Sequence, residues 1–241
     1  TTNGRISQSS SKHWSSAGTN FGYPYMAPLT LTLNGNLTVD PGGEITVDGA
    51  GYVSQCGPGR QEGDRGGCHG GQGGDNDGTP PYGNTYGSIL RPTNAGSGGF
   101  WGNWNDAPGG GRMRLIVTGQ TTVNGQMTAR APIRSNPGGA GGSIWLTTAS
   151  LAGTGMIDAS CVKDTNPGGG GGRVAVYVTN SPSFGSVTIT ACGGNPAGGS
   201  TYDGAAGTVY KESTIHLTGG GIILIGNPIR TPSTNVVTHL P

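Results

Sequence analysis

Short stretches in which apolar and polar residues alternate recur along the second half of the chain at a fixed interval. An alternation with a period of two is typical of a β-strand with one buried face. One such stretch opens at Gly125, Gly155 and Gly185, which lie 30 residues apart. A second stretch opens at Gly111, Gly142 and Gly172, at intervals of 31 and 30 residues. Two landmarks that share one period predict a repeat protein.

Each repeat is predicted to form a strand, a turn, a second strand and a glycine-rich return. The inward positions of the first strand stack as Met113/Ile144/Val174, Leu115/Leu146/Val176 and Val117/Thr148/Val178. Those of the second strand stack as Met127/Ile157/Val187 and Ala129/Ala159/Ile189. A strand that pairs with its copy one repeat later runs parallel to it. The pattern therefore predicts an all-β fold, a parallel β-solenoid (β-helix) with coils of about 30 residues and long glycine-rich loops.

The pattern divides the chain into three regions. Residues 1–28 have no firm period and are expected to cap the first coil or to take part in assembly. Residues 29–210 are the predicted solenoid, interrupted by a glycine-rich insertion at 50–110. Residues 211–241 are expected to form strands or a tail that caps the fold or contacts another subunit. The expected subunit-contact residues are the apolar ones, since a solenoid has two open ends that must be covered: Ile222, Ile223, Leu224, Ile225, Val236 and Val237.

Composition narrows the classes of protein that fit. Of the 241 residues 51 are Gly and only 10% are charged, against about 25% in an ordinary domain. The glycines follow no strict three-residue period, which excludes collagen. The net charge of +1 gives no footprint for nucleic acid or for an anionic membrane. The longest apolar run, Ile222–Ile225, is far shorter than the ~20 residues that span a bilayer.

Four cysteines allow three disulfide pairings. We favour Cys56–Cys68, which would close a loop of the insertion, and Cys161–Cys192, which would tie successive coils. A zinc site with His69 is the alternative, although the chain has no CxxC spacing. Paired cysteines fit an oxidising, extracellular setting. The chain begins with Thr and shows no signal peptide, so we expect a processed secreted protein or a piece of a larger one.

The insertion carries the residues that could bind a ligand. Aromatic rings offer a flat apolar face to a sugar, or they pack the insertion onto the fold, which is the interpretation we favour; they are Tyr82, Tyr86, Phe100, Trp101 and Trp104. Asp75 and Asp77 could donate oxygens to Ca²⁺, but they lack the spacing of an EF-hand loop. No other cofactor is predicted. Asn36-Leu37-Thr38 is a sequon for N-glycosylation.

Two sets of charged residues could serve catalysis, and each also has a structural explanation. Asp40, Glu44 and Asp48 could share one face as an acid/base set, but solvated strand residues give the same pattern. Three arginines could hold an acidic sugar, although they fit better as groups that cover the outer sheet and bond loop carbonyls: Arg112, Arg114 and Arg173. The four histidines are scattered, and no order of Ser, His and Asp indicates a nucleophile. No catalytic residue is assigned.

Two segments resemble known proteins. The run Gly141-Gly-Ser-Ile-Trp-Leu-Thr-Thr-Ala-Ser-Leu-Ala-Gly-Thr-Gly-Met-Ile-Asp-Ala, with the later Gly168-Gly-Gly-Gly-Gly-Arg-Val-Ala-Val-Tyr, resembles glycine-rich repeats of large secreted or surface bacterial proteins. Leu29–Gly49 is similar to β-helical strands of autotransporter and adhesin passengers. The resemblance implies an extracellular structural or adhesive role and supplies no catalytic motif.

Three hypotheses about function follow from this reading. We prefer a structural subunit, without enzymatic activity, that polymerises end to end into a surface filament or matrix. The first alternative is an adhesin that binds a glycan or another cell-surface ligand through the aromatic insertion. The weaker alternative is a polysaccharide lyase or hydrolase.

Overall fold

The computed structural model describes residues 4–7, 27–75, 83–99, 107–132, 137–161, 167–194, 202–227 and 238. Within these ranges the chain forms β-strands and no helix, so it contains no helical segment that could cross a membrane. The strands are β1 (Arg5–Ser7), β2 (Leu29–Leu33), β3 (Leu37–Val39), β4 (Glu44–Thr46), β5 (Arg112–Val123), β6 (Gln126–Thr128), β7 (Ser143–Ala152), β8 (Met156–Asp158), β9 (Arg173–Val178), β10 (Thr188–Thr190), β11 (Thr208–Glu212) and β12 (Ile222–Leu224).

The strands form two sheets, and this arrangement shows that the predicted fold class was wrong. A five-stranded sheet has the order β1-β4-β6-β8-β10, and a seven-stranded sheet runs β12-β11-β9-β7-β5-β2, with β3 also paired to β5. Most strands are short, and β12 runs antiparallel to β11. The chain is therefore not a solenoid of 30-residue coils. It is built from two sheets of short strands, because glycine-rich segments separate the strands and pack with one another.

The register between the strands confirms part of the predicted pairing. Met113, Ile144 and Val174 are in-register neighbours across β5, β7 and β9, as expected. Met127 pairs with Ile157 as expected, but Ile157 then pairs with Ile189 and not with Val187. The cause is local: Gly185 adopts a φ of 64° within a turn, so β10 begins two residues later than the repeat predicts.

The main core lies between the two sheets. Its fully buried members come from the inward positions of both sheets, among them Leu115, Leu146, Met127 and Ile157. The core is less well covered at its ends. Half-buried leucines line one end, at positions 29, 31, 33 and 37, and Phe184, Val187 and Ile189 line the other. Each end therefore leaves apolar surface in contact with water.

Residues 84–95 cross the outer face of the seven-stranded sheet as a strap. Ile89 packs there in a second, smaller core with Ala175 and Tyr210, against which Trp145 and Tyr177 also lie. The strap is fixed by hydrogen bonds from the sheet to its carbonyl oxygens. Three side chains donate to these carbonyl oxygens: Tyr177 Oη to Leu90 O (2.7 Å), Arg112 Nη1 to Thr93 O (2.9 Å) and Arg173 Nε to Tyr86 O (2.9 Å). The expectation that these arginines bond loop carbonyls is confirmed for Arg112 and Arg173, while Arg114 lies 4.2 Å above the Trp145 ring.

Glycine-rich segments from distant parts of the chain pack side by side next to the sheets, as a glycine bundle. Gly138 N–H donates to Pro167 O and Gly141 N–H to Gly170 O, each at 2.9 Å. A second pair of bonds has the same spacing, from Gly168 N–H to Tyr202 O and from Gly171 N–H to Ala205 O. Bonds at every third residue match the three-residue turn of a polyproline II helix. Extended glycine-rich segments therefore pack with one another in the shorter returns of the chain.

The segments of the bundle are too close together for side chains. A Cβ added at Gly170 would overlap the carbonyl oxygen of Gly71, and one added at Gly141 would overlap that of Ala159. Gly70 and Gly67, in the predicted insertion, bond to Gly171 and Gly138 of the later returns. The described residues of 50–110 are therefore an integral part of the packing and not a loop attached to a finished coil.

We expect Gly170→Ala to destabilise the fold strongly. Gly170 N–H donates to Gly67 O, and Gly170 O accepts from Gly141 N–H. Gly170 therefore cannot move away from the overlap with Gly71 without losing one of these bonds. Overpacking of this kind costs roughly 2 kcal/mol or more, which lowers the Tm by about 5 °C or more. Gly226→Ala is the matched control, because no atom lies within 4 Å of its added Cβ. Thermal denaturation followed by circular dichroism measures both; equal Tm values would contradict the account of the bundle.

Candidate functional site

The carboxylates considered for catalysis do not gather into one site. Asp40 is exposed, Glu44 lies 3.4 Å from Arg5 in an ion pair, and Asp48 Oδ1 accepts the backbone N–H of Arg130 at 2.6 Å. Burial raises the pKa of Asp48 above its ordinary value. Each of these side chains therefore has its own surroundings, and nothing in this part of the structure supports an acid/base pair.

The predicted metal ligands are not brought together either. Asp75 is buried and its Oδ1 lies 3.0 Å from Arg65 Nε, whereas Asp77 lies outside the described residues. His69, the partner in the zinc alternative, points its Nδ1 at Gly141 O at 2.8 Å. In the described part of the chain no three His, Cys, Asp or Glu side chains are placed to hold a metal ion. The described residues therefore give the zinc alternative no support, and Asp75 is used in an internal ion pair.

The structure holds four thiols and neither of the predicted disulfides. Cys161 N–H donates to Cys192 O at 2.9 Å, which puts Cys192 opposite Ser160 in the parallel ladder. Because side chains alternate between faces, Cys161 and Cys192 point to opposite sides of the sheet. Burial raises the pKa of Cys68 to about 12 and also raises the pKa values of Cys56 and Cys192. With neither disulfide formed, the structure gives the disulfide argument for an oxidising compartment no support.

The aromatic platform receives no support from the described residues. Tyr86 Oη donates to Ala95 O at 2.6 Å and lies 2.8 Å from Ser97 Oγ, while its ring lies 4.7 Å from the His69 ring. Tyr86 is thus an internal packing residue and offers no free face to a sugar. The remaining aromatic candidates, Tyr82, Phe100, Trp101 and Trp104, lie outside the described residues.

A buried polar centre, which the sequence reading missed, joins the glycine bundle to the strap. The side chain of Arg173 is 1% exposed and donates to Tyr86 O and, at 3.0 Å, to Thr208 Oγ1. Burial lowers the pKa of Arg173 to about 10, so the guanidinium remains charged at neutral pH. His69 is fully buried, its Nε2 has no hydrogen-bond partner, and burial, with the charge of Arg173 as a smaller cause, lowers its pKa to about 3. With no exposure to solvent, this centre serves the packing.

Asn36 of the sequon is exposed and has a structural contact. Its Oδ1 accepts Gln120 N–H at 2.8 Å, beside the irregularity of β5 between Val117 and Gln120. Asn36 thereby satisfies a backbone donor that the irregular ladder leaves free. Glycosylation of Asn36 stays a prediction.

The most unusual surface of the described chain is an exposed apolar edge. Ile222, Ile223, Leu224 and Ile225 are between 41% and 48% exposed, and β12, which contains three of them, is the last strand of its sheet. The sequence singled out this run as a contact; Val236 and Val237, assigned with it, lie outside the described residues. Soluble proteins rarely leave a contiguous aliphatic run in water without a use for it.

The opposite end of the two sheets also exposes apolar side chains. We call β1, β2 and β3 the head, and β10 and β12 the tail. At the head, Ile6 is 47% exposed and Leu29, Leu31 and Leu33 are half-buried. None of the described strands pairs with the outer edges of β1, β2 or β10. Head and tail together form the candidate functional site.

Sequence reasoning missed Ile6, although a signal was present. Gly4-Arg-Ile-Ser repeats the pattern of Gly43-Glu-Ile-Thr and of Gly125-Gln-Met-Thr, and these three stretches become β1, β4 and β6 of one sheet. The earliest copy was overlooked because the surrounding residues have no period.

A comparison with protein families, with curated proteins and with solved structures found no match.

We expect His69 to make the fold sensitive to acid. The pKa of His69 is lower in the folded chain, about 3, than its ordinary value of 6.5, so between these values the unfolded chain binds a proton that the folded chain does not. The free energy of unfolding then falls as the pH drops below 6.5, by about 2 kcal/mol between pH 6.5 and pH 5.

Urea denaturation at pH 7.5 and pH 5 measures this effect. In His69→Gln the difference between the two pH values should shrink. His216→Gln is the control, since the half-buried His216 lies at the surface and bonds Ser213 N–H at 3.0 Å. If His69→Gln retains the whole pH dependence, a buried neutral His69 is not its source.

Proposed function

We propose that this protein is an extracellular structural subunit that associates head to tail with copies of itself and builds a filament or matrix at a cell surface. The observation that carries the proposal is that, among the described strands, both sheets end in strands that have one unpaired edge and expose apolar side chains, at the head and at the tail. A head-to-tail contact joins two different surfaces and can therefore repeat indefinitely, which produces a filament when the rotation does not close a ring.

The two edge strands of the seven-stranded sheet contain no charged residue or proline that would keep sheet edges apart. Proteins usually protect an exposed edge with lysine, proline, a bulge or a covering segment. β12 belongs to the run Ile222–Ile225, which lies between two glycines, and β2 reads Leu-Thr-Leu-Thr-Leu, so neither carries a charge or a proline. An edge of this composition is suited to pairing with another chain.

The composition of the two ends supports a second copy as the partner. One core extends from the half-buried leucines of the head to Val187 and Ile189 at the tail. Stacking one copy on the next would join these two core ends and remove both from water, at about 25 cal/mol for each Å² of apolar surface. The extracellular location is part of the proposal and rests on the resemblance of the repeats. The described residues contain no arrangement that favours the glycan-binding or the polysaccharide-cleaving hypothesis.

We expect Ile222→Asp with Leu224→Asp to weaken self-association at least tenfold, because two carboxylates would have to be desolvated at the contact. Both side chains are exposed, at 47% and 48%, so the fold of the subunit should persist. Sedimentation velocity and light scattering over a range of concentrations give the mass of the species.

Leu90→Asp is the matched control, since Leu90 is 39% exposed on the strap and belongs to neither the head nor the tail. The control should associate like the wild type. A wild-type chain that remains monomeric at high concentration would refute the proposed function.

A further inference from the structure

The two edge strands of the five-stranded sheet, β1 and β10, indicate how two copies would pair. Resting on the proposed function, we propose that β1 of one copy pairs in parallel with β10 of the next, with Ile6 stacked on Ile189. The partner surface of the tail is thus the head of a second copy, in one defined register. This register follows from the direction of the backbone groups in the strands that already pair.

Each pair of neighbouring strands in the five-stranded sheet is connected by the same pattern of backbone hydrogen bonds. Glu44, Gln126, Met156 and Thr188 donate their backbone N–H to Gly4, Gly43, Gly125 and Gly155, in that order, at 3.0–3.1 Å. These donors therefore point toward the preceding strand. In a parallel ladder the residues between them direct their N–H and C=O groups to the following strand. The residues between are the inward-facing Ile45, Met127 and Ile157, and in β10 the same position belongs to Ile189.

The free groups of the head and the tail are therefore complementary. Ile189 directs its N–H and C=O away from β8, and in β1 the outward groups belong to Arg5 and Ser7, because Ile6 bonds toward β4. Parallel pairing needs one residue on one strand that bonds the two residues flanking its partner. Ile189 can bond Arg5 and Ser7 in this way, which pairs Ile6 with Ile189, Arg5 with Thr188 and Ser7 with Thr190.

The side chains fit this register. The inward column of Ile6, Ile45, Met127, Ile157 and Ile189 would continue unbroken from one copy to the next. A slip of one residue would turn Ile6 to the opposite face of the sheet and is disfavoured.

The other face of the joint is compatible as well. Thr128 Oγ1 donates to Thr46 Oγ1 at 2.8 Å, and Thr190 Oγ1 donates to Asp158 Oδ1 at 2.9 Å, so a row of polar groups already runs down the sheet. Ser7 would extend this row when it is placed beside Thr190. Arg5 would face Thr188, so no like charge opposes it.

The seven-stranded sheet cannot make the same joint. Its last strand, β12, runs antiparallel to β11, so a parallel strand added there would not repeat the internal pattern. Its part in the contact is apolar: β12 would be covered by β2 of the next copy, whose leucines are half-buried in the single chain. The defined register therefore comes from the five-stranded sheet.

Cross-linking between two single variants tests the register. Ser7→Cys and Thr190→Cys are made in separate chains, each also carrying Cys192→Ser to remove a half-exposed thiol. In-register parallel neighbours lie about 4.8 Å apart, within the range that a disulfide bridges. On mixing and oxidation we expect a disulfide-linked heterodimer. Ser7→Cys mixed with Thr188→Cys is the control, since those positions are two residues out of register, and its yield should be at least tenfold lower.

Hydrogen exchange of the wild-type chain provides a second measurement that needs no substitution. The amide of Ile189 should exchange quickly in dilute monomer and become protected in the assembled protein. A heterodimer specific to the 7/190 pair, together with this protection, supports the joint. If the wild-type chain assembles but the 7/190 pair cross-links no better than the 7/188 pair, or Ile189 stays unprotected, the joint is overturned and self-association stands. If the wild-type chain does not assemble at all, the proposed function fails as well.

Discussion

The fold depends on the close approach of glycine backbones. Where segments of the bundle meet, an added Cβ would collide with a carbonyl oxygen of the neighbouring segment, as at Gly170 and Gly141. This constraint accounts for the glycine clusters of the bundle, such as residues 168–172. It also explains why the described residues of 50–110 belong to the same packing, since their backbone groups satisfy those of later returns.

A molecule of this kind is stabilised differently from an ordinary domain. The bundle contributes many backbone hydrogen bonds, each worth about 1 kcal/mol net, while a narrow core between two sheets contributes the apolar burial. Polar groups trapped between the layers are satisfied by carbonyls, as Arg173 is by Tyr86 O, or are held neutral, as His69 is. The sheets stack strand upon strand, so the core has no natural end, and each end leaves apolar side chains exposed. The proposed assembly follows from that incompleteness.

Tertiary context explains most of the corrected predictions. The sequence leaves ligand binding and packing open for Tyr86, because an aromatic residue in a polar insertion has no local sign of burial; in the structure its ring packs on His69. Cys161 and Cys192 lie close together in space, yet their side chains occupy opposite faces of the sheet. The reason is that Cys192 lies opposite Ser160, one residue before Cys161. The Asp75 carboxylate forms an ion pair with Arg65, and the two residues also form an isolated antiparallel bridge. No spacing rule predicts this pairing from the sequence.

Alternation of apolar and polar residues was enough to predict which side chains share a face of each strand, because it is a local property of the chain. It also predicted that Met113, Ile144 and Val174 are neighbours. The sequence also marked Ile222–Ile225 as apolar surface in need of a cover. The tertiary structure alone decided that the strands divide into two sheets, that β12 turns antiparallel, and that Ile157 meets Ile189 and not Val187. Those outcomes depend on turns such as the one at Gly185 and on contacts between backbones distant in sequence, and such contacts leave no period in the residues that make them.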